Sequence, residues 1–347
     1  MSTKPNPDLY GLPLVTDSYN GMPYLHLGRS GLRVSKVGLG TWKIGYPETG
    51  DGSRVDEKTA FGLFDRAVEV GVTFWDTANR YNSSSGNSER VIGNWLTQNP
   101  DQRRNLVIAT KIFGCMDGST PNHCRLSRSA IKDSVYASLD RLQTDHVELL
   151  YFHFYDPLTP VEESLDAVGD LISQDVVRYL GLSNFTRDQL RIYLEMERCG
   201  YPRVLCVQNG FNLLEGARFP EEDVLEYCAR TGVDLVAWSP LGSGLLTDRY
   251  LDPDKVGKGD RLVDENTLDK KLSPENKERL QRLHKLSQSW GISISQIALA
   301  YMLSLPGMGP VIPSATKLEH LEANAKAGTI ELDPQQRVEI AQALASS

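Results

Sequence analysis

Short apolar runs alternate with helical stretches along most of this 347-residue chain, and that alternation constrains the fold more than any other feature. Residues 57–71, EKTAFGLFDRAVEVG, place Ala60, Leu63, Phe64, Ala67 and Val68 on one helical stripe and stop at Gly71. The β-rich run VTFWD follows at once. The same unit recurs: NSERVIGNWLTQ precedes NLVIATK, SRSAIKDSVYASLDRL precedes HVELLYFH, and PVEESLDAVGDLISQ precedes VVRYLGLSN. TRDQLRIYLEME then RVLCVQN, EEDVLEYCARTG then VDLVAWSP, and ISISQIALAYMLSL then GPVIPS complete the series.

Strands beginning at Val34, Val72, Leu106, Val147, Val176, Val204, Val233 and Gly309 give about eight β/α units, the number a closed parallel barrel requires. The rival, an open doubly wound sheet, usually carries G-x-G-x-x-G in its first βα turn, and VGLGTWKIG lacks that spacing. The expectation is an α/β protein with one (β/α)8 TIM barrel over residues 1–347. Its core spans about 24–327, preceded by a polar lead-in (1–23) and followed by a C-terminal segment (328–347). Residues 24–36 read as an N-terminal β-hairpin plugging the barrel's N-terminal end. The Gly-, Asp- and Lys-rich stretch 242–272 lacks a sustained apolar period; it reads as a long loop after strand seven, a cofactor or substrate flap rather than an inert excursion.

Net charge is −8 and no Lys/Arg-rich block stands out, which argues against nucleic acid as a partner. No apolar run is long enough to span a membrane, and MSTKPNPDLYGLPL lacks a signal-peptide core, so the expected location is cytoplasmic. Five scattered cysteines do not suggest a disulfide framework and read as reduced thiols. Cys115, His123 and Cys124 lack the paired spacing of a zinc site, and no metal is expected. Oligomeric state is not readable.

In a barrel, the C-terminal ends of all strands converge on one mouth. Here those ends carry Asp76, Lys111 and His153, with Tyr81 in the loop just beyond Asp76. A lysine ammonium beside a phenol favours the phenolate and lowers the phenol's pKa, while the Asp76 carboxylate keeps the lysine charged and in place. Tyr81 then serves as a general acid or base, and His153 orients a substrate oxygen. The set suits protonation of a carbonyl or deprotonation of an alcohol. The accompanying hydride transfer needs a nicotinamide, since no side chain supplies it. Ser183, Asn184 and Gln208 at the ends of strands five and six offer groups for its carboxamide. Trp238 offers a stacking surface, the Ser/Gly turn after it a phosphate cradle, and Ser314, Thr316 and Lys317 follow strand eight.

From about residue 24 to 327 the chain resembles the aldo-keto reductase superfamily. GLGTW, FWDTANRY…NSERVIG, ATK, LLYFHFYDP, RYLGLSNF, VQNGFNLL, WSPLGSGLL and VIPSATKLEHLEAN stand in the family's order. FHFYDP and the long excursion look closer to the bacterial sugar-type and potassium-channel-β-like branches. The resemblance implies NAD(P)H-dependent reduction of a small carbonyl or sugar-like substrate, reversibly, with Asp76, Tyr81, Lys111 and His153 as catalytic residues. It assigns nicotinamide contacts to Ser183, Asn184, Gln208 and Trp238, and pyrophosphate contacts to Ser239, Leu241 and Ser243. The adenosine end falls to Ile312, Ser314, Thr316, Lys317, His320 and Asn324. Thr316, His320 and Ala323 depart from many members, but Lys317 can pair with a 2′-phosphate, which favours NADP(H) with NAD(H) as the alternative. Trp42, Phe113, Phe154 and Tyr155 are expected to line an aromatic substrate mouth, and Arg80 reads as an exposed loop arginine. The competing function is a cofactor-binding regulatory subunit of the channel-β type with little turnover. A metal-dependent hydrolase or isomerase lacks a suitable ligand cluster.

Overall fold

The computed structural model describes residues 17–345 except 253 and 255. The chain begins with a small antiparallel sheet of Ser18–Tyr19 (β1), Met22–His26 (β2) and Arg33–Ser35 (β3). The barrel strands are Leu39–Gly40 (β4), Phe74–Asp76 (β5), Val107–Ile112 (β6), Val147–Phe152 (β7), Val177–Ser183 (β8) and Val204–Asn212 (β9). After the short Gly216–Ala217 (β10), which folds back on β9, come Asp234–Trp238 (β11) and Met308–Ile312 (β12). The eight pair in parallel in the order β12-β11-β9-β8-β7-β6-β5-β4. Bridges from Val37 to Val311 and Gly40 to Ser314 join the two ends, so the expected (β/α)8 barrel is observed. Every residue of β7 is buried, as both faces of such a strand must be.

The helices start where local chemistry starts them. Asp56 accepts from Thr59 N at the head of Glu57–Glu69, and Ser127 accepts from Ala130 N at the head of Arg128–Leu142. Thr186 and Ser293 head Arg187–Glu197 and Ile294–Leu303 with complete capping boxes. These helices press their apolar stripes on the outside of the strands, forming the main core with Trp75, Trp95, Leu150, Phe152 and Val207.

The first strand divides differently from the sequence reading. Val34 and Ser35 belong to the hairpin, and the barrel strand proper is Leu39–Gly40. Between them the chain passes so close to the second barrel strand that a Cβ on Gly38 would lie 2.8 Å from the Phe74 carbonyl oxygen. The hairpin closes the barrel's N-terminal end as expected: Leu27 and Val34 pack among Phe74, Ala109, Leu149, Leu205 and Val236 inside it. Gly28, with φ +54°, lies against Leu205 and donates its N–H to Asp234 Oδ2 at 2.7 Å.

The stretch after β11 is packed rather than loose. Leu245, Leu246, Tyr250 and Leu262 join a second apolar cluster with Leu280, Leu283, Ile294 and Ile297. Its far limb reaches the loop after β4: Arg54 donates to the Gly259 carbonyl at 3.1 Å and pairs with Asp264, and Lys43 pairs with Glu265. Among the described residues no helix is long and apolar enough to cross a membrane.

Candidate active site

Strand register assembles the site. Asp76 pairs with Ala109; Lys111 lies two residues further along β6 and pairs with Tyr151, two residues before His153. Side chains alternate with period two, so Asp76 and Lys111 both point into the barrel near its C-terminal end. Lys111 is 1% exposed, and its three ammonium donors are all used: Asp76 Oδ1 at 2.6 Å, the Thr77 carbonyl at 2.8 Å and Tyr81 Oη at 2.7 Å. The Tyr81 hydroxyl, accepting from lysine, donates to Asp76 Oδ1 at 3.2 Å. Gln208 Nε2 donates to the other carboxylate oxygen at 2.7 Å.

The protonation states differ in one respect from the expectation. Burial, then the charge and hydrogen bond of Asp76, push the Tyr81 phenol well above its usual value. Tyr81 is therefore held protonated. Burial pulls Lys111 down while Asp76 holds it up. His153 is kept neutral, well below the usual imidazole range, by burial and then by the charges of Lys111, Arg80 and Arg218. Its ring stands 6.2 Å from that of Tyr81 and stacks on Phe154 at 4.9 Å.

Tyr81 reaches this position through an unusual turn. Asn82, Ser83 and Ser84 all take left-handed backbone conformations (φ 55°, 58° and 60°), which reverses the chain over the mouth. Asn82 is buried and its Nδ2 donates to the Ile44 carbonyl at 2.5 Å. Asn87 donates to Asp51 at 2.8 Å, and Ser88 Oγ lies 2.7 Å from Thr41 Oγ1, so the whole NSSSGNS segment is tied to the loop after β4.

The aromatic candidates separate. Trp42, its ring 6.4 Å from Tyr81, carries Lys43 and Arg261 on its ring at 4.6 and 4.8 Å. Phe113 meets Phe154 edge-on at 5.5 Å. Tyr155 meets buried Phe185 edge-on and, like Phe113, packs partly buried against the core.

The residues expected to contact a nucleotide lie in β9, at the ends of β8, β11 and β12, and in the segments that follow them. Ser183 Oγ donates to the Gln208 carbonyl at 3.0 Å, and Asn184 Nδ2 donates to the His153 carbonyl at 3.0 Å. Trp238 lies over Gly210, where a Cβ would sit 3.0 Å from the indole. Gly242, Ser243 and Gly244 are consecutively left-handed (φ 57°, 63° and 95°), a backbone shape that suits an anion. Ile312 ends β12, Ser314 lies beside Gly40, and Thr316, Lys317 and His320 are exposed at the start of Leu318–Ala327, with Asn324 buried one turn on. His153 Nδ1, Trp238 Nε1 and both amide atoms of Asn79 are buried without a hydrogen-bond partner. Buried polar atoms left without partners at the strand ends leave hydrogen-bonding capacity for a ligand.

A family model for the aldo/keto reductase family matches residues 36–345. The chain belongs to the aldo/keto reductase family. It is 35% identical to the "Uncharacterized oxidoreductase YrpG" of Bacillus subtilis, over 90% of this chain and 93% of that protein. It is 30% identical to the versiconal hemiacetal acetate reductase of Aspergillus parasiticus (91% and 95%), and 31% identical to a probable voltage-gated potassium channel subunit beta of rice (88% and 91%). This family acts on small carbonyl compounds and generally uses NAD(P)H; the chain is an oxidoreductase of this family.

Several features of this aldo/keto reductase escaped the sequence. Cys115 and Cys124 form a disulfide with Cα atoms 4.4 Å apart, which overturns the reading of five free thiols and removes both sulfurs from any ligand set. Arg125 N donates to the Phe113 carbonyl at 2.8 Å and brings the two ends of that loop together. Cys199, Cys206 and Cys228 are free. The glutamate of NSER, Glu89, is fully buried and pairs with Arg141 at 2.7 Å, which also pairs with Asp117. Nothing in the sequence around Glu89 signals a buried ion pair with a residue 52 positions away.

Proposed function

We propose that this protein is an NAD(P)H-dependent reductase that converts an aldehyde or ketone to the alcohol, reversibly, with Tyr81 as the proton donor. The observation that carries the reading is the hydrogen-bonded set Tyr81–Lys111–Asp76, in which a phenol held protonated sits 2.7 Å from a buried ammonium. A bound nicotinamide nucleotide supplies the hydride, for which the chain has no side-chain source. His153, neutral, donates a hydrogen bond to the substrate oxygen and does not compete with Tyr81 as the acid. As the oxygen gains negative charge, Tyr81 passes its proton to it and the resulting phenolate is stabilised by Lys111. Asp76 and Gln208 keep the lysine aimed at Oη.

Ser183, Asn184 and Gln208 would hold the carboxamide, Trp238 the ring, and Ser239, Leu241 and Ser243 the pyrophosphate. Ile312, Ser314, Thr316, Lys317, His320 and Asn324 would hold the adenosine end. NADP(H) is favoured over NAD(H) because Lys317, exposed at the head of Leu318–Ala327, can pair with a 2′-phosphate. The described residues of 242–272 act as a flap over cofactor or substrate, supported by the ties of Arg54 and Lys43 to its far limb. Trp42, Phe113 and Phe154 line the substrate side.

Loss of reduced-nicotinamide absorbance with NADPH or NADH and a panel of aldehydes, ketones and sugars tests this. Turnover should fall by about 10² or more in Tyr81→Phe; equal turnover would remove Tyr81 from the mechanism. The channel-β relatives support a second reading, a nucleotide-binding regulatory subunit. Tight nucleotide binding with no turnover across the panel would favour it.

A further inference from the structure

Two arginines at the mouth have no part in the proton-transfer set. Arg80 immediately precedes Tyr81; its stem packs beside Gly114, where a Cβ would lie 3.3 Å from that of Arg80, and its guanidinium lies 5.5 Å from the Phe154 ring centroid. Phe154 in turn stacks on His153. Arg218, carried in by the β9–β10 extension, donates to Asn184 Oδ1 at 2.8 Å and stands 5.7 Å from the centroid of Trp238. Both lie near enough to His153 for their charge to disfavour its protonation.

Neither arginine faces a carboxylate among the described residues, although the chain is acidic overall. Neighbouring cations are matched: Arg54 with Asp264, Arg125 with Asp156, Arg141 with Glu89 and Asp117, Arg249 with Asp260, Arg261 with Glu265. Asp76 is committed to Lys111, Tyr81 and Gln208. Two guanidiniums held on aromatic faces beside the reacting position, with free donors and no internal counter-charge, are a receptor for an anion.

We propose that Arg80 and Arg218 select carbonyl substrates that carry an anionic substituent, a carboxylate or a phosphate ester, placed against the Phe154 side of the mouth while the carbonyl oxygen meets Tyr81 and His153. This deepens the reductase reading and rests on it for the position of the carbonyl.

The test compares matched pairs: 4-carboxybenzaldehyde against its methyl ester, and glyceraldehyde 3-phosphate against glyceraldehyde. In at least one pair the wild type should show a kcat/KM ratio of tenfold or more for the anion, expressed in KM, and 0.5 M NaCl should narrow it. Arg80→Met and Arg218→Met should bring that ratio towards one, while Arg80→Lys keeps part of it; the two pairs separate carboxylate from phosphate. A wild-type ratio near one in both pairs, or a ratio unchanged in both Met variants, overturns the proposal. If no substrate of either kind is turned over, the reductase reading fails by itself. The anion proposal is then read from binding of 4-(hydroxymethyl)benzoate and its methyl ester to the NADPH-loaded protein by tryptophan fluorescence. Equal affinity for the two, or no loss of preference in Arg80→Met, overturns it.

Discussion

Lys111→Met isolates the ammonium from the rest of the set. Methionine keeps the length and apolar stem of lysine, so the barrel interior stays filled, but three hydrogen bonds disappear together: to Asp76, to the Thr77 carbonyl and to Tyr81 Oη. Two costs follow. Asp76, whose side chain is 3% exposed, is left with Gln208 and Tyr81 as neutral donors; breaking a buried pair in this way costs about 3–5 kcal/mol, less whatever protonation of the carboxylate recovers. The phenolate formed during reduction also loses a charge-assisted hydrogen bond of about 1.5–3 kcal/mol. At 1.36 kcal/mol per tenfold, kcat should drop about 10–150-fold. The assay is kcat for 4-nitrobenzaldehyde reduction at saturating NADPH, alongside the urea midpoint and the NADPH affinity by fluorescence quenching. A lower urea midpoint, unchanged nucleotide affinity and a kcat loss in that range fit the reasoning. A folded variant with kcat within twofold of wild type would show that Lys111 does not support the proton donor.

Gly210→Val should push the Trp238 indole from its place, since even a Cβ there lies 3.0 Å from the ring. If Trp238 is the stacking surface, NADPH affinity falls about 2–12-fold, the range of an aromatic stacking contribution; unchanged affinity by calorimetry removes that role. His153 predicts a pH effect on stability. Its folded-state value lies well below the unfolded value of about 6.5, so no penalty exists above that pH, and stability is lost as pH falls below it. The loss attributable to this group between pH 6.5 and 5.5 is about 1 kcal/mol. Urea midpoints at the two pH values should fall more in wild type than in His153→Gln; equal falls would place the effect elsewhere.

The parts of the molecule legible in sequence are those governed by short periods. The strand-end rule brings Asp76, Lys111 and His153 to one mouth, and the observed register agrees. What stayed hidden depends on distances the sequence does not encode. The bond from Gln208 to Asp76 spans 132 residues and exists because β9 and β5 face each other across the barrel. The Cys115–Cys124 pair, Arg218 beside Asn184, and the reach of the loop after β11 to Arg54 all follow from loop paths rather than composition. Nothing in the composition of the NSSSG run marks its geometry. Three successive left-handed residues turn it into the device that lays Tyr81 over the mouth, and the buried Asn82 fixes it to Ile44. The Tyr81 phenol lies above its usual value, against the lowering expected from Lys111, because burial acts on it first and burial follows from the fold.

The electrostatic layering of the mouth follows from these placements. Asp76 and Lys111 neutralise one another inside the barrel, so the phenol between them sees burial more than net charge and keeps its proton. Arg80 and Arg218 lie further out and have no such partner among the described residues. Their field falls on His153, which stays neutral, and on any oxygen that gains negative charge beside it. A field of that sign lowers the energy of a developing alkoxide and of an anionic substituent alike, so Arg80→Met should weaken selection of the anion and slow reduction of neutral carbonyls to a lesser degree. A site whose inner pair is neutral and whose rim is positive thus separates two tasks, holding the proton and attracting the charge, on different residues of one strand-end loop: Tyr81 and the arginine before it.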